Sequence, residues 1–187
     1  MKKAFTLIMA AAMVTGALGG CGKKDKEETA DASTSIVEDY IEGQTSKSGG
    51  KKYYTATLLG DAIKELKDDD EWDDMIEDYN DNMEDMLEDS EIKVKSIDKG
   101  DKLSKDELKA AEEYLKNQCD RYDIDDEVSV KSGYEYKVKL KYREDKDDDW
   151  ETNTQKLCAV EVKGDGWKVI GMEAKYLEEY YGDSDSD

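Results

Sequence analysis

The chain has 187 residues, and its 49 acidic and 28 basic side chains give a formal net charge of −21 at pH 7. Such an acidic surface repels the phosphates of nucleic acid and anionic lipid headgroups, so we expect no nucleic-acid partner. It attracts cations, and we expect it to bind them weakly. The chain contains no histidine, which excludes Ser-His-Asp and Cys-His catalysis and removes the commonest transition-metal ligand.

The first 21 residues carry the pattern of an export signal. Lys2 and Lys3 form a positive start, an apolar run follows over residues 4–18, and the motif LGGC ends at Cys21. The apolar run is shorter than the ~20 residues that a membrane-spanning helix needs. The motif resembles the lipobox of bacterial lipoproteins, and this resemblance implies that residues 1–20 are removed and Cys21 is lipidated. The alternative is an ordinary secretory signal followed by an unrelated cysteine.

The rest of the chain divides by composition into three parts. Residues 21–34 are small, polar and charged, which predicts a lipid-bearing flexible tether. Residues 35–181 are sufficient for one domain with a single hydrophobic core. Residues 182–187 contain no large apolar side chain and predict a disordered acidic tail.

Helical patterns occupy the first half of the predicted domain. Apolar residues recur at helical spacing over residues 35–41 and 52–67, which predicts two helices. Asp68, Asp69 and Asp70 predict the N-cap of a third helix. Its apolar stripe predicts packing against the domain, and an adaptable Met-rich groove is the other interpretation. The stripe consists of Trp72, Met75, Ile76, Tyr79, Met83, Met86 and Leu87.

The second half changes to the alternation typical of antiparallel strands. A first strand is predicted over residues 91–97, and Ser104 with Glu107 predicts a capping box at the start of a helix. A long strand follows, with one face in the core, one in water, and a bend or bulge at Ser132-Gly133. Its inward set is Val128, Val130, Tyr134, Tyr136, Val138, Leu140 and Tyr142.

Two more strands complete the pattern. They are predicted over residues 154–163 and 167–170, and Gly164-Asp165-Gly166 predicts a tight hairpin turn between them. The whole arrangement resembles the cystatin-like or nuclear-transport-factor-2-like group, as found in small Firmicute lipoproteins of unknown function. The resemblance implies an α+β domain, with N-terminal helices packed on a curved antiparallel sheet of about four strands. It implies no particular activity, because this fold hosts isomerases, binding modules and scaffolds.

Three inward tyrosines are the candidate pocket residues. Tyr134, Tyr136 and Tyr142 share one face of the long strand and offer hydroxyl donors. Catalysis of proton transfer in this fold also needs a carboxylate in the same cavity, and the alternation places none on that face. We therefore expect no enzymatic activity.

The aspartate-rich segments are candidate calcium loops. Asp145, Asp147 and Asp149 alternate as calcium ligands do, but Trp150 follows where a loop glycine is needed and no glutamate closes the loop. The series Asp78, Asn80 and Asn82 lies within a predicted helix. We therefore assign no metal site and no cofactor, and a calcium-binding surface protein is a secondary alternative.

Cys119 and Cys158 form a candidate disulfide, since both lie on the apolar sides of their elements and the protein is predicted to be exported. Two buried thiols are the equal alternative. Together these features predict an extracytoplasmic lipoprotein, held by lipid on the outer face of the cell membrane, with a non-catalytic binding or interaction role. The sequence does not identify the partner, for which an envelope protein and a small-molecule ligand are both candidates. The alternative is a small-molecule or isomerase-like pocket within a cone-shaped α+β domain.

Overall fold

A computed structural model describes residues 31–122, 124 and 127–182 of the chain. The predicted signal peptide, Cys21 and residues 22–30 of the predicted tether lie outside the described residues, as do residues 183–187 of the predicted tail. The described elements are α1 (Ala32–Gly43), α2 (Gly50–Thr57), α3 (Gly60–Asp68), α4 (Glu71–Met86), β1 (Glu91–Lys102), α5 (Lys105–Cys119), β2 (Val130–Arg143), β3 (Glu151–Val162), β4 (Gly166–Ile170) and α6 (Ala174–Tyr181).

The four strands form one curved antiparallel sheet in the order β1-β2-β3-β4. Each strand pairs with the next one along the chain, and α5 lies in the connection between β1 and β2. The turn between β3 and β4 is the predicted hairpin, in which Gly164 and Gly166 adopt φ values of 89° and 82°. The predicted α+β class, with helices and about four antiparallel strands, is confirmed.

Helices cover both faces of this sheet. On one face, Leu157 of β3 packs in a cluster with Val37 and other residues of α1. On the opposite face, the adjacent Cys158 packs in a cluster with Leu115 of α5. Successive side chains of a strand alternate between faces, so β3 is buried on both sides. The predicted one-sided burial therefore describes only part of β2, where Lys137 and Lys139 are exposed.

A β-bulge divides the long strand β2 between these two clusters. Val130 pairs with Val162 and Ser132 pairs with Glu161, so β2 contains one extra residue at the predicted bulge. Val130 therefore packs on the α5 side, whereas Tyr136 packs on the α1 side. The prediction that all seven even-numbered residues share one face is wrong for Val128 and Val130, because an extra residue reverses the alternation.

The segment predicted as one helix over residues 52–67 forms two helices. Leu58 and Leu59 have extended backbone, with ψ values of 147° and 154°. Both side chains are buried, Leu58 among residues of α3 and α4 and Leu59 in the α5-side cluster. The carboxylate of Asp165, in the β3–β4 turn, accepts the backbone N–H of Gly60 at 3.0 Å. Burial of both leucines and this distant acceptor outweigh the local helical preference.

Two helix beginnings also differ from the predictions. Helix α1 begins at Ala32, so residues 32–34 are helical rather than part of the tether, and the Asp31 side chain caps the helix at the Ser33 N–H. Asp70 does precede α4, but it adopts a φ of 62° and its side chain makes no capping bond. The α4 stripe packs on the domain as predicted, since Trp72 and Met83 are buried.

The predicted capping box of α5 is confirmed. Ser104 Oγ accepts the Glu107 N–H at 3.2 Å, and the Glu107 carboxylate accepts the Ser104 N–H at 2.6 Å. Helix α6 then packs beside α5 through the fully buried Leu177. Among the described helices, none combines the length and the apolar character that crossing a bilayer requires.

Candidate functional site

A polar cleft of about 610 Å³ lies where α1, α2 and α5 meet β3 and the end of β4. Its volume is in the usual range for small-molecule sites, which is about 300–1,000 Å³. Three apolar side chains, Leu58, Val169 and Met172, form part of the wall. The principal polar side chains are Gln44, Gln118, Gln155, Tyr40, Tyr53, Tyr54 and Tyr114.

The chain contains three glutamines, and all three line this cleft. Each of their carboxamide oxygens is buried and accepts no hydrogen bond from a described residue. Such an oxygen costs ~1–3 kcal/mol when it loses water without gaining a donor. The fourth buried polar atom of this kind among the described residues is Arg143 Nε, which lies away from the cleft. Unsatisfied acceptors are therefore concentrated in one place.

The amide nitrogens of two of these glutamines donate to tyrosine hydroxyls. Gln44 Nε2 donates to Tyr40 Oη at 2.8 Å, and Gln118 Nε2 donates to Tyr114 Oη at 3.4 Å. The Gln155 amide also bonds to Tyr40 and lowers the pKa of that phenol, although burial is the larger effect and raises it. The carboxamide oxygens lie beneath the surface of the lining and lack donors in the ligand-free protein.

Glycine at position 171 is required by the position of Tyr40. A Cβ atom on Gly171 would lie 2.6 Å from Tyr40 Oη, closer than non-bonded atoms approach. Gly171 itself lines the cleft. The missing side chain therefore gives the Tyr40 hydroxyl room to meet Gln44.

The cleft is nearly free of charge, in contrast to the rest of the molecule. No aspartate or glutamate is present among its described lining residues, although the chain has 49 of them. Its one charged lining residue is Arg121, which is exposed. Burial raises the pKa values of Tyr53, Tyr54 and Tyr114, so these phenols stay protonated. The cleft is a neutral region within an acidic protein.

The three tyrosines predicted as pocket residues have contacts elsewhere in the fold. Tyr136 is fully buried, and its hydroxyl is 2.7 Å from Ser33 Oγ at the start of α1. Tyr134 stacks on Trp167, and the hydroxyl of Tyr142 donates to Glu151. None of the three lines the cleft. Helix α1 covers this part of the sheet and uses the Tyr136 hydroxyl itself.

Cys119 and Cys158 are both buried in the α5-side cluster, and no disulfide joins them in the described structure. Of the two sequence interpretations, the structure therefore agrees with buried thiols. Burial raises the pKa of the Cys158 thiol from 9.0 to about 12. Cys158 is consequently a protonated, apolar core residue at neutral pH.

The candidate calcium ligands serve local structure. Asn80 Oδ1 accepts the Gly50 N–H at 2.9 Å, and Asn82 donates to the Asp78 carbonyl within α4. In the acidic loop, the Asp145 carboxylate accepts the Asp147 N–H at 3.0 Å. No group of three or more metal-binding side chains converges within the part of the chain that the structure describes.

A second groove, of about 530 Å³, runs along α4. Met75, Tyr79 and Met83 of the predicted stripe line it, and Asp74 and Asp78 give it an acidic rim. None of the buried polar atoms that lack a partner in the described structure belongs to its lining. The cleft with the three glutamines is therefore the stronger candidate site.

Sequence reasoning missed this cleft. Gln44 directly follows α1, Gln118 lies in α5 and Gln155 lies in β3, so the glutamines are far apart in the chain and no short motif joins them. The one available signal was compositional, because the chain has only three glutamines among its many charged residues. Comparison of the chain with protein-family models, curated proteins and solved structures finds no match. The chemistry of the cleft is therefore the basis for assigning a function.

Proposed function

We propose that this protein is an extracytoplasmic lipoprotein whose α+β domain binds a small polar molecule in the glutamine-lined cleft, without converting it chemically. This is the small-molecule alternative of the sequence analysis, now placed at different residues. The proposal also keeps the cystatin-like or nuclear-transport-factor-2-like relationship, which the order of helices and strands supports.

The main support for ligand binding is that three buried carboxamide oxygens without donors belong to residues of one cleft. Folded proteins satisfy the great majority of their buried polar atoms, so a local concentration of exceptions indicates a missing partner. Because these oxygens are covered in the ligand-free protein, a molecule with several O–H or N–H donors supplies that partner by displacing part of the lining. The tyrosine rings and the apolar wall residues offer surface for its less polar parts.

The absence of a base supports binding rather than catalysis. The chain has no histidine, and the described lining has no carboxylate that could accept a proton near neutral pH. The pKa values of Tyr53 and Tyr114 are raised by burial, so neither phenol is poised to ionise. These groups hold and orient a molecule better than they transform it.

Lipid anchoring is supported by the signal pattern that ends at Cys21. A Cys21→Ser variant is expected to leave the membrane fraction or to accumulate as the unprocessed precursor, because acyl chains contribute about 0.8 kcal/mol per buried CH₂ to membrane binding. Fractionation and mass spectrometry of the mature N-terminus measure this. Unchanged membrane retention of the variant would contradict lipid anchoring through Cys21.

The binding proposal can be tested first without any ligand. Gln118→Met keeps the length and helical preference of the side chain but removes the buried oxygen, so the ligand-free variant should be as stable as the wild type or up to ~1–3 kcal/mol more stable. Gln118→Glu is the isosteric control and should be less stable, because it buries a carboxylate. Urea unfolding measures both. A loss of more than about 1 kcal/mol in Gln118→Met would indicate a structural role for this amide.

The second test is a ligand screen. Thermal unfolding is measured with a library of neutral sugars, polyols, nucleosides and amides. At least one class should raise the melting temperature of the wild-type protein, since a ligand that binds only the folded state stabilises it. The same compounds should have a smaller effect on Gln118→Met. If no compound shifts the wild type, or if both proteins respond equally, binding in this cleft is refuted.

A further inference from the structure

We infer that the molecule bound in the cleft is an uncharged saccharide. The inference rests on the proposed binding function and narrows the ligand class. It follows from three properties of the lining: its neutrality, the polarity of its amides, and the combination of those amides with aromatic and apolar side chains.

Neutrality of the lining selects an uncharged ligand. A buried ammonium or carboxylate is costly unless an opposite charge or several hydrogen bonds compensate it. The described lining offers no carboxylate to a cation, and its single guanidinium, Arg121, lies exposed. In a protein with a net charge of −21, a lining free of acids is a specific feature. A cationic or zwitterionic ligand would lack compensation for its positive charge, and the exposed Arg121 would give an anion only a solvent-screened pair.

The hydrogen-bonding groups select a ligand rich in hydroxyls. The amide oxygens of Gln44, Gln118 and Gln155 need donors, while the Tyr40 and Tyr114 hydroxyls are donors and acceptors. A sugar hydroxyl donates one bond and accepts others, so neighbouring hydroxyls can satisfy both kinds of group. A nucleobase carries fewer donors, fixed in one plane. The three glutamines lie in separate parts of the chain, Gln44 directly after α1, Gln118 in α5 and Gln155 in β3.

The remaining lining matches the carbon face of a sugar ring. Tyr54 and Tyr114 are half-buried in the cleft, and Leu58, Val169 and Met172 add apolar surface. The C–H faces of a pyranose bury their apolar area against such side chains while the hydroxyls at the ring edge meet the amides. The volume of about 610 Å³ lies within the ordinary range for small-molecule sites.

Isothermal titration calorimetry of the full-length protein tests the inference. The probes are maltose, cellobiose and N,N′-diacetylchitobiose, and the comparison probes are uridine (neutral and planar), glutamine (zwitterionic) and spermidine (cationic). At least one disaccharide should bind the wild type. Its affinity for Gln118→Met and for Gln155→Met should fall about tenfold each, which is the effect of one hydrogen bond. Two variants on separate elements protect the test against misfolding of either one.

The outcomes separate the ligand class from the proposed function. Disaccharide binding that both variants weaken supports the saccharide inference. Binding of uridine, glutamine or spermidine alone overturns it and leaves a small-molecule function intact. Disaccharide binding that neither variant changes also overturns it, because the sugar then lies elsewhere. If no disaccharide binds the wild type, the saccharide inference fails. If in addition no other probe binds and Gln118→Met destabilises the ligand-free protein, the proposed function fails as well.

Discussion

The hydroxyl of Tyr136 joins the central strand β2 to the beginning of α1. It lies 2.7 Å from Ser33 Oγ and 3.0 Å from Thr34 Oγ1, and the Tyr136 side chain is fully buried. Lys99 donates to Ser33 Oγ at 2.9 Å and also pairs with Asp31, which lowers the pKa of that carboxyl. The Tyr136 hydroxyl, which the sequence analysis assigned to a pocket, therefore helps to hold the start of α1 against the sheet.

At this residue scale we expect Tyr136→Phe to lower the free energy of unfolding by about 1 kcal/mol. The ring still fills the core, but the hydroxyl partners at the start of α1 lose one hydrogen bond each. Urea unfolding followed by circular dichroism measures the change. Tyr180→Phe is the control, because Tyr180 is 67% exposed, and it should differ from the wild type by less than about 0.5 kcal/mol. Equal stabilities of the two variants would contradict the assigned role.

At the scale of elements, local and distant contacts decide different boundaries. The start of α5 is local, since Ser104 and Glu107 satisfy each other's backbone N–H groups within four residues. The break between α2 and α3 is distant, because Asp165 of the β3–β4 turn accepts the Gly60 N–H. Boundaries of the first kind can be predicted from sequence, whereas boundaries of the second kind need the partner element in place.

The capping box provides a prediction at this scale. Ser104→Ala should cost about 1 kcal/mol of folding free energy, because the Glu107 N–H loses its acceptor at the helix N-terminus. Ser104→Thr retains a capping hydroxyl and should retain most of the stability. Chemical unfolding of the three proteins gives the comparison. A threonine variant as unstable as the alanine variant would show that the hydroxyl does not cap α5.

At the scale of the whole molecule, charge is distributed unevenly. The chain carries a net charge of −21, yet the cleft lining includes no described acid. The amides and phenols instead gather between the helices and the sheet. Several of these phenols, together with the Cys158 thiol, are buried in forms that stay protonated at neutral pH.

The buried phenols and the Cys158 thiol predict a loss of folding stability at alkaline pH. Burial raises the folded-state pKa of Cys158 from 9.0 to about 12, and it raises the pKa values of Tyr40, Tyr53 and Tyr79 above 10.0. Between the ordinary and the raised pKa values, the folded state binds more protons than the unfolded state, so stability falls as pH rises. The contribution of these protonated groups to the free energy of unfolding is complete below about pH 9 and is lost progressively as the pH rises above it.

Urea unfolding between pH 7 and about pH 11 tests this sign. The free energy of unfolding should decline once the pH exceeds the ordinary thiol pKa of 9.0. In Cys158→Ala the decline should begin nearer the ordinary phenol pKa of 10.0, because the thiol no longer contributes. Constant stability across the whole range would contradict the protonated burial of these groups.

The amino-acid sequence by itself determined the elements whose signals are local. These are the capping box at Ser104, the hairpin turn at residues 164–166, the inward residues from Tyr136 to Leu140, and the α+β class. Each depends on residues that are close in the chain, where backbone geometry and side-chain alternation act directly. The composition also shows that this highly charged chain has only three glutamines.

Only the tertiary structure decided which face of each element is buried and which element packs against it. The extra residue before Ser132 moved Val130 to the opposite face, and α1 enclosed the Tyr136 hydroxyl that the sequence analysis had assigned to a pocket. Gln44 at the end of α1, Gln118 of α5 and Gln155 of β3 line one cleft only once the chain is folded. Such a site depends on long-range packing, whose free energy is shared among many residues and leaves no periodic mark on the chain.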